Sequence, residues 1–353
     1  MKRNPQPHFI QISTKRIKTY LMTLLFSFIC AIAFWIGGQP VGIQSIDSTV
    51  SIGFYANQAN DDLSHVFTTA IDDAKKSVLL LIYSLTDRKV INCLKNQSRK
   101  GVDVKVVCDA KASPYADSKL GDLVDTTRRY GPGLMHQKIL VVDEEKVWLG
   151  SANMTTESLR MHGNLVIALN SKNLAQKIHQ KAENLGIEGK GAPFLNENFM
   201  IGGQEIELWF LPDDQKALLR IKNLIGSAKK TIRIAMFTWT RHDLAQAVID
   251  AQKRGVETQV VIDHYSGKGA SSAVVKMLKD NGVHTSLSLE GPLLHHKFLY
   301  IDNQILVNGS ANWTKRAFTQ NDDCFIVIHN LTTQQNQQMD HLWKIILKES
   351  VKQ

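Results

Sequence analysis

"GPLLHHKFLYIDNQILVNGSANWT", Gly291 to Thr314, carries two histidines and a lysine at one end of an apolar, strand-like run and Gly-Ser-Ala-Asn at the other. A core strand has no use for an unpaired lysine, because burying a lone charge is costly. The explanation starts from a second stretch, "GPGLMHQKILVVDEEKVWLGSANMT", Gly131 to Thr155. Aligned on the lysine, both read His-x-Lys, four residues, Asp, six residues, Gly-Ser-Ala-Asn, x, Thr. The first copy is His136, Lys138, Asp143, Gly150, Ser151 and Asn153; the second is His295, Lys297, Asp302, Gly309, Ser310 and Asn312. One motif match can be chance, but two at corresponding places in one chain mark a repeat.

The repeat runs beyond the motifs. Ala74–Thr86 ("AKKSVLLLIYSLT") matches Ala228–Thr240 ("AKKTIRIAMFTWT"), and Lys100–Asp109 matches Arg254–Asp263, all offset by 154 residues. The histidines are offset by 159, so the extra residues fall in the loop before the motif. Each copy reads as an amphipathic helix, a continuous apolar strand, a helix stopped at Gly101 or Gly255, a strand ending at Asp109 or Asp263, the motif hairpin, one more strand and a closing helix. Strands alternating with helices predict an α/β fold of two tandem α/β sandwich units. The expected boundaries are a first unit at 51–185, a linker at 186–203 and a second unit at 204–350.

The 353 residues hold 43% hydrophobic and 21% charged side chains, an ordinary globular balance, with a net charge of +9. Five of those charges (Lys2, Arg3, Lys15, Arg16 and Lys18) lie before the first acid, Asp47. The remainder is only mildly basic, which suits anionic phosphate substrates without singling out nucleic acid. The four cysteines match no zinc pattern, and Cys93 and Cys108 read as buried free thiols. Residues 1–38 combine a basic start, an apolar run from Leu21 to Ile36 and Ala31-Ile32-Ala33 as an A-x-A site. They predict export by a signal peptide, to the periplasm or outside, or else a membrane anchor through residues 20–38.

His136 and Lys138 are two apart on a strand and therefore share a face, as do His295 and Lys297. Asp143 and Asp302 have the opposite parity and sit in hairpin turns, which makes them structural supports. Glycine lets backbone approach a ligand closely, and Ser151, Asn153, Ser310 and Asn312 offer neutral donors that could cradle a phosphate. Two such sets facing each other would complete a site for phosphoryl chemistry. One histidine attacks phosphorus, the other serves as acid and then base, and the lysines stabilise charge on the equatorial oxygens. The scheme needs no metal or other cofactor. Asp109 and Asp263 are expected in strand-terminal turns, Arg128 and Arg129 as a solvated pair, and Trp239 and Trp313 as core or pocket wall. His296 points to the opposite sheet face, and His65, His162, His264, His284 and His329 show no partner pattern.

The duplicated pattern resembles the phospholipase D superfamily, whose motif is called HKD, from about Ser51 to the C-terminus. The resemblance implies a pseudo-two-fold axis with one active site between the units, so that a monomer holds a complete site and needs no protein partner. It implies His136 as nucleophile and His295 as acid/base, an order the residues alone leave open. The family usually places an acidic residue eleven positions after the motif asparagine, where it can orient a histidine. Asp323 fills that place in the second half, whereas the first half has Asn164. An amide can orient a ring but cannot stabilise imidazolium by charge, so the two histidines are expected to differ in role. Among the superfamily's substrates, export or membrane anchoring and the modest basicity of the body favour a phospholipid at a membrane surface, hydrolysed to phosphatidic acid and a free alcohol. The alternatives are an exported or anchored endonuclease acting on nucleic acid, whose bacterial branch the motif tails "NMTTES" and "NWTKRAFTQND" are more similar to than to the cardiolipin synthases, or a phosphatidyltransferase.

Overall fold

The computed structural model describes residues 51–185 and 193–351, which belong to one compact unit. The expected leader lies outside the described residues, as does the start of the expected linker. Among the described residues no helix is long and apolar enough to cross a membrane.

The first half forms a mixed sheet from β1 (Ile52–Ala56), β2 (Ser77–Ile82), β3 (Asp103–Asp109), β4 (Asp125–Arg129), β5 (Lys138–Val142), β6 (Lys146–Gly150) and β7 (Leu165–Asn170). Their order across the sheet is β1-β7-β6-β5-β2-β3-β4, with β2, β3 and β4 parallel and the other pairs antiparallel. The second half repeats this plan with β9 (Gln204–Leu211), β10 (Thr231–Met236), β11 (Glu257–Ile262), β12 (His284–Ser288), β13 (Lys297–Ile301), β14 (Ile305–Gly309) and β15 (Asp323–Ile328). It adds β8 (Glu197–Ile201) at one edge and β16 (Ser350–Val351) at the other.

Two features go beyond the expected plan. Each half opens with a strand, β1 or β9, ahead of its first helix; the alternation of Glu205-Ile206-Glu207-Leu208 was the available signal in the second half. Part of the stretch expected to link the units forms β8, paired to β9 across Gly202 and Gly203, whose positive φ angles close the hairpin.

The central strands are buried on both faces. Val78 to Ile82 are each no more than 1% exposed, which is why that run shows no polar alternation. On one face each sheet is covered by its own helices; the helix Ala217–Ser227, for example, packs with Ile232, Ile234 and Met236. On the other face the two sheets share one core. Ile139, Val141, Leu149 and Ile167 from the first half lie in the same cluster as Phe298, Tyr300, Leu306 and Ile326 from the second. Loops at the strand ends then lace the halves together. The His136 N–H donates to Asp322 O (2.8 Å), Asp322 N–H to Leu134 O (2.8 Å), and Gly163 N–H to Leu293 O (2.8 Å).

The motif hairpins turn through Asp143-Glu144 and Asp302-Asn303, all four with φ between 53° and 56°. This is the left-handed geometry of a tight two-residue hairpin, tolerated by Asp and Asn. The aspartate carboxylates accept backbone N–H groups from the start of the neighbouring strand: Lys75, Lys76 and Ser77 for Asp143, and Lys229, Lys230 and Thr231 for Asp302. They fasten β5 to β2 and β13 to β10 at the end of the hairpin away from the histidines.

Candidate active site

His136 and Lys138 enter at the start of β5, and His295 and Lys297 at the start of β13. Because Lys138 pairs with Ile82 and Lys297 with Met236, both sets lie at the C-terminal ends of the parallel strands β2 and β10. Each lysine's Nζ donates to the carbonyl of its own histidine, at 2.6 Å in both halves. The chain just ahead of each histidine is held by a buried aspartate. Asp109 Oδ2 accepts the Met135 N–H and Asp263 Oδ2 the Leu294 N–H, both at 3.0 Å. The other carboxylate oxygen caps the local turn, as expected of strand-terminal aspartates.

The partners of the imidazoles cross between the halves. His136 Nδ1–H donates to Asp323 Oδ1 (2.7 Å), and His295 Nδ1–H donates to Asn164 Oδ1 (3.0 Å). Asp323 is ionised and can only accept. The Asn164 amide is oriented by its own N–H groups, which donate to Ser158 O (2.8 Å) and His162 O (3.1 Å), leaving Oδ1 toward the ring. Both histidines therefore carry their resting proton on Nδ1 and present Nε2 for chemistry.

Ser151 and Ser310 correct an expectation. Their hydroxyls were read as phosphate donors, but both side chains are fully buried. Each gives its single proton to the residue that orients the opposite half's histidine: Ser151 Oγ to Asn164 Oδ1 (2.8 Å), Ser310 Oγ to Asp323 Oδ1 (2.7 Å). Each hydroxyl also accepts a backbone N–H, from Leu165 and Cys324, so none is left for a ligand. The motif glycines are corrected too. A Cβ on Gly150 would lie 2.2 Å from Leu165 O, and one on Gly309 2.3 Å from Cys324 O, so these glycines admit the next strand rather than a ligand. Asn153 and Asn312 stay half-buried, and among the described residues neither amide NH₂ is engaged.

Burial dominates the electrostatics. It lowers Lys138 to about 7 and Lys297 well below the usual ammonium range, with the Lys138 charge adding to the effect on Lys297. Burial and then Lys138 lower His136, while Asp323 pulls the other way. His295 is lowered further: after burial, Lys297, Lys138, His136 and His162 all act in the same direction. Burial alone would raise Asp323, but His136, Lys138 and Ser310 hold it below the normal carboxylate range. Four basic side chains and one carboxylate thus share a buried site in which burial works against every positive charge.

Two neighbours were not singled out in the sequence. Tyr83 and Phe237, at the ends of β2 and β10, pack on His136 (ring centroids 5.0 Å) and His295 (4.9 Å) and sit under the Nζ of Lys138 (5.1 Å) and Lys297 (4.9 Å). Their equivalence at the 154-residue offset was the available signal. His162, read as lacking a partner, has its ring 6.4 Å from that of His295. Arg129 pairs with Asp322 (3.0 Å) and Arg128 with Asp117 (2.8 Å) instead of being solvated. Trp239 and Trp313 form a buried edge-to-face pair at 4.5 Å, the core role. His296 faces away and meets Gln58 Oε1 at 2.6 Å. Of the two cysteines read as buried, Cys108 is, but Cys93 is only partly so.

A family model described as "Cardiolipin synthase, PLD-like domain" matches residues 67–185 and 221–343, one match per half and well over half of the chain. The chain belongs to this phospholipase D-like family. A mitochondrial cardiolipin hydrolase of Chlamydomonas reinhardtii is 32% identical over 129 residues, covering 36% of this chain and 57% of that protein. A phospholipase D of Rickettsia conorii is 28% identical over 123 residues, covering 32% of this chain and 62% of that one. The chain thus spans about three-fifths of the length of the curated relatives it matches. Among solved structures, a phosphatidylserine synthase of Haemophilus influenzae superposes with a TM-score of 0.67 over 85% of this chain and 87% of its own, at 12% identity, a likeness of fold.

Proposed function

We propose that this phospholipase D-like chain hydrolyses a phosphodiester bond in a phospholipid, releasing phosphatidic acid and a free alcohol through a phosphohistidine. The observation that carries the reading is the crossed pair of imidazoles, each locked with Nε2 free, beside two buried lysines. The names of the similar proteins, a cardiolipin hydrolase and a phospholipase D, favour a lipid phosphodiester as substrate.

The unequal partners support distinct roles. Nucleophilic attack turns a neutral imidazole into a cationic phosphoimidazolium, and a carboxylate behind the ring stabilises that charge. Asp323 lies behind His136, so His136 is the nucleophile. Its Nε2 lone pair forms the bond to phosphorus as the bond to the head-group oxygen breaks. The leaving oxygen takes a proton from Nε2 of His295, which reacts in the doubly protonated form after taking up a proton there from solvent or from the previous turnover. An amide partner leaves His295 a stronger acid than a carboxylate would, which suits it to donate. His295, now neutral, takes a proton from water. The hydroxide oxygen bonds to phosphorus and the P–N bond returns its electrons to His136. Lys138 and Lys297 bind the non-bridging oxygens, with the Asn153 and Asn312 amides as neutral donors. The phosphate charge in turn restores the ammonium forms that burial disfavours.

The test is an assay in EDTA with phospholipid vesicles and, in parallel, single- and double-stranded nucleic acid, using the wild-type chain, His136→Ala and His295→Ala. Phosphatidic acid release that falls about 10³-fold or more in both variants is expected. Nucleic-acid cleavage with inert vesicles would replace the substrate, and a head group exchanged for added alcohol would make the enzyme a transferase. Activity surviving both substitutions would defeat the mechanism.

A further inference from the structure

Nine large apolar side chains stand exposed among the described residues, and five of them lie in the connections at one end of the sheets, Tyr265 within the short helix His264–Lys268. Tyr115 follows β3, Tyr130 follows β4, and Met161 lies between β6 and β7; Tyr265 follows β11 and Leu289 follows β12. All five are about half exposed or more, from 48% to 67%. The strand directions put every one of these loops at the end where His136 and His295 emerge. Tyr130 and Leu289 hold the same place in the two halves, each six residues ahead of its histidine. Single exposed apolar groups are ordinary, but five gathered at the sheet end that carries both histidines single that end out for a partner.

The charges nearby narrow the choice. Lys111, Lys268, Lys315 and Arg316 make no ion pair among the described residues. Lys111 and Lys268 share loops with Tyr115 and Tyr265. Arg316 Nη2 donates to Pro132 O (3.2 Å), so its helix, Lys315–Thr319, braces the Tyr130 loop. The Arg128 guanidinium lies 5.8 Å from the centre of the Tyr130 ring. The three tyrosines could stack bases as well as enter a bilayer, but Met161 and Leu289 have no π-face and suit only an apolar partner. Tyrosines, a leucine and a methionine interleaved with cations are the composition that enters the boundary between head groups and acyl chains.

We propose that these loops are an interfacial docking rim that seats the mouth of the site on an anionic phospholipid bilayer. The inference rests on the lipid reading above and adds which residues touch the membrane. Phosphate head groups would meet the cations while Tyr130 and Leu289 insert on either side of the opening. A lipid could then reach the histidines without leaving the bilayer fully.

The test uses the full chain in two measurements. In the first, Leu289→Trp and, as a control away from the rim, Leu219→Trp are titrated with vesicles of phosphatidylcholine and phosphatidylglycerol carrying brominated acyl chains. Quenching of added tryptophan emission at 289 and none at 219 is expected, with weaker quenching on phosphatidylcholine alone. In the second, Tyr130→Ser/Leu289→Ser is compared with wild type on vesicles and on a monomeric short-chain phosphatidylcholine. A loss of about tenfold or more on vesicles with the monomeric rate preserved is expected. Equal quenching at both sites, equal activity of the double variant on vesicles, or an equal loss on both substrates would overturn the rim. So would protection of the 289 tryptophan by single-stranded oligonucleotide but not by vesicles. Bilayer quenching at 289 with no hydrolysis of either lipid would sink the substrate reading while supporting the rim.

Discussion

The asymmetry between Asp323 and Asn164 is a single-residue difference with a measurable consequence. As the proposed acid, His295 must be protonated, and its pKa is lowered well below the ordinary imidazole value by burial and then by the basic groups of Lys297, Lys138, His136 and His162. Above that pKa the protonated fraction falls tenfold per pH unit, so kcat/KM of the wild type declines as pH rises through neutrality. In Asn164→Asp a carboxylate favours the protonated ring, so that limb moves to higher pH by about one unit or more. A pH–rate profile of the two proteins checks it; an unmoved limb would remove His295 as the acid. The reverse substitution, Asp323→Asn, takes the charge from behind the nucleophile and is expected to lower kcat about a hundredfold, with phosphohistidine formation slowed in a rapid-quench measurement.

At the scale of elements, the motif aspartates belong to the hairpins. Asp302 accepts three backbone N–H groups at the start of β10, and Asp143 does the same for β2. Asp302→Ala leaves those donors without their acceptor and is expected to destabilise the fold by about 2–3 kcal/mol. Thermal unfolding should show the loss, while kcat measured well below the transition stays near wild type; a collapse of kcat in the still-folded protein would make this aspartate catalytic. The hairpins show what could be read in advance. The odd spacing from histidine to aspartate was enough to separate their faces, because side chains alternate strictly along a strand. The serines were not legible in the same way. A hydroxyl beside a glycine looks alike whether it meets a phosphate or the carboxylate of a strand thirteen residues on, and only the packing of β14 against β15 decides. The opening strands β1 and β9 escaped for a related reason, since each acquires its identity from the strand it pairs with, β7 or β15.

For the whole molecule, the repeat told of two units, and the shared core shows why neither suffices. Ile139, Val141 and Ile167 are covered by the other half, and each histidine is oriented by it. Each half alone would expose that face, so separate expression of the halves is expected to yield insoluble or loosely packed protein. Both histidines, both lysines and the residues that orient the rings come from one chain, so under the proposed mechanism specific activity should not change on dilution. A fall on dilution would mean that a second copy contributes to the site.

The crossed hydrogen bonds bear on how such a protein can evolve. In a symmetric pair of identical single-motif chains, the residue behind one histidine is also the residue behind the other, and any change alters both rings together. Once the two copies are joined in tandem, that bond of identity is broken. The gene can keep a carboxylate for one ring and try an amide for the other, selecting each for half of the reaction cycle. Asn164 and Asp323 show that freedom in this chain, where a carboxylate stands behind one ring and an amide behind the other.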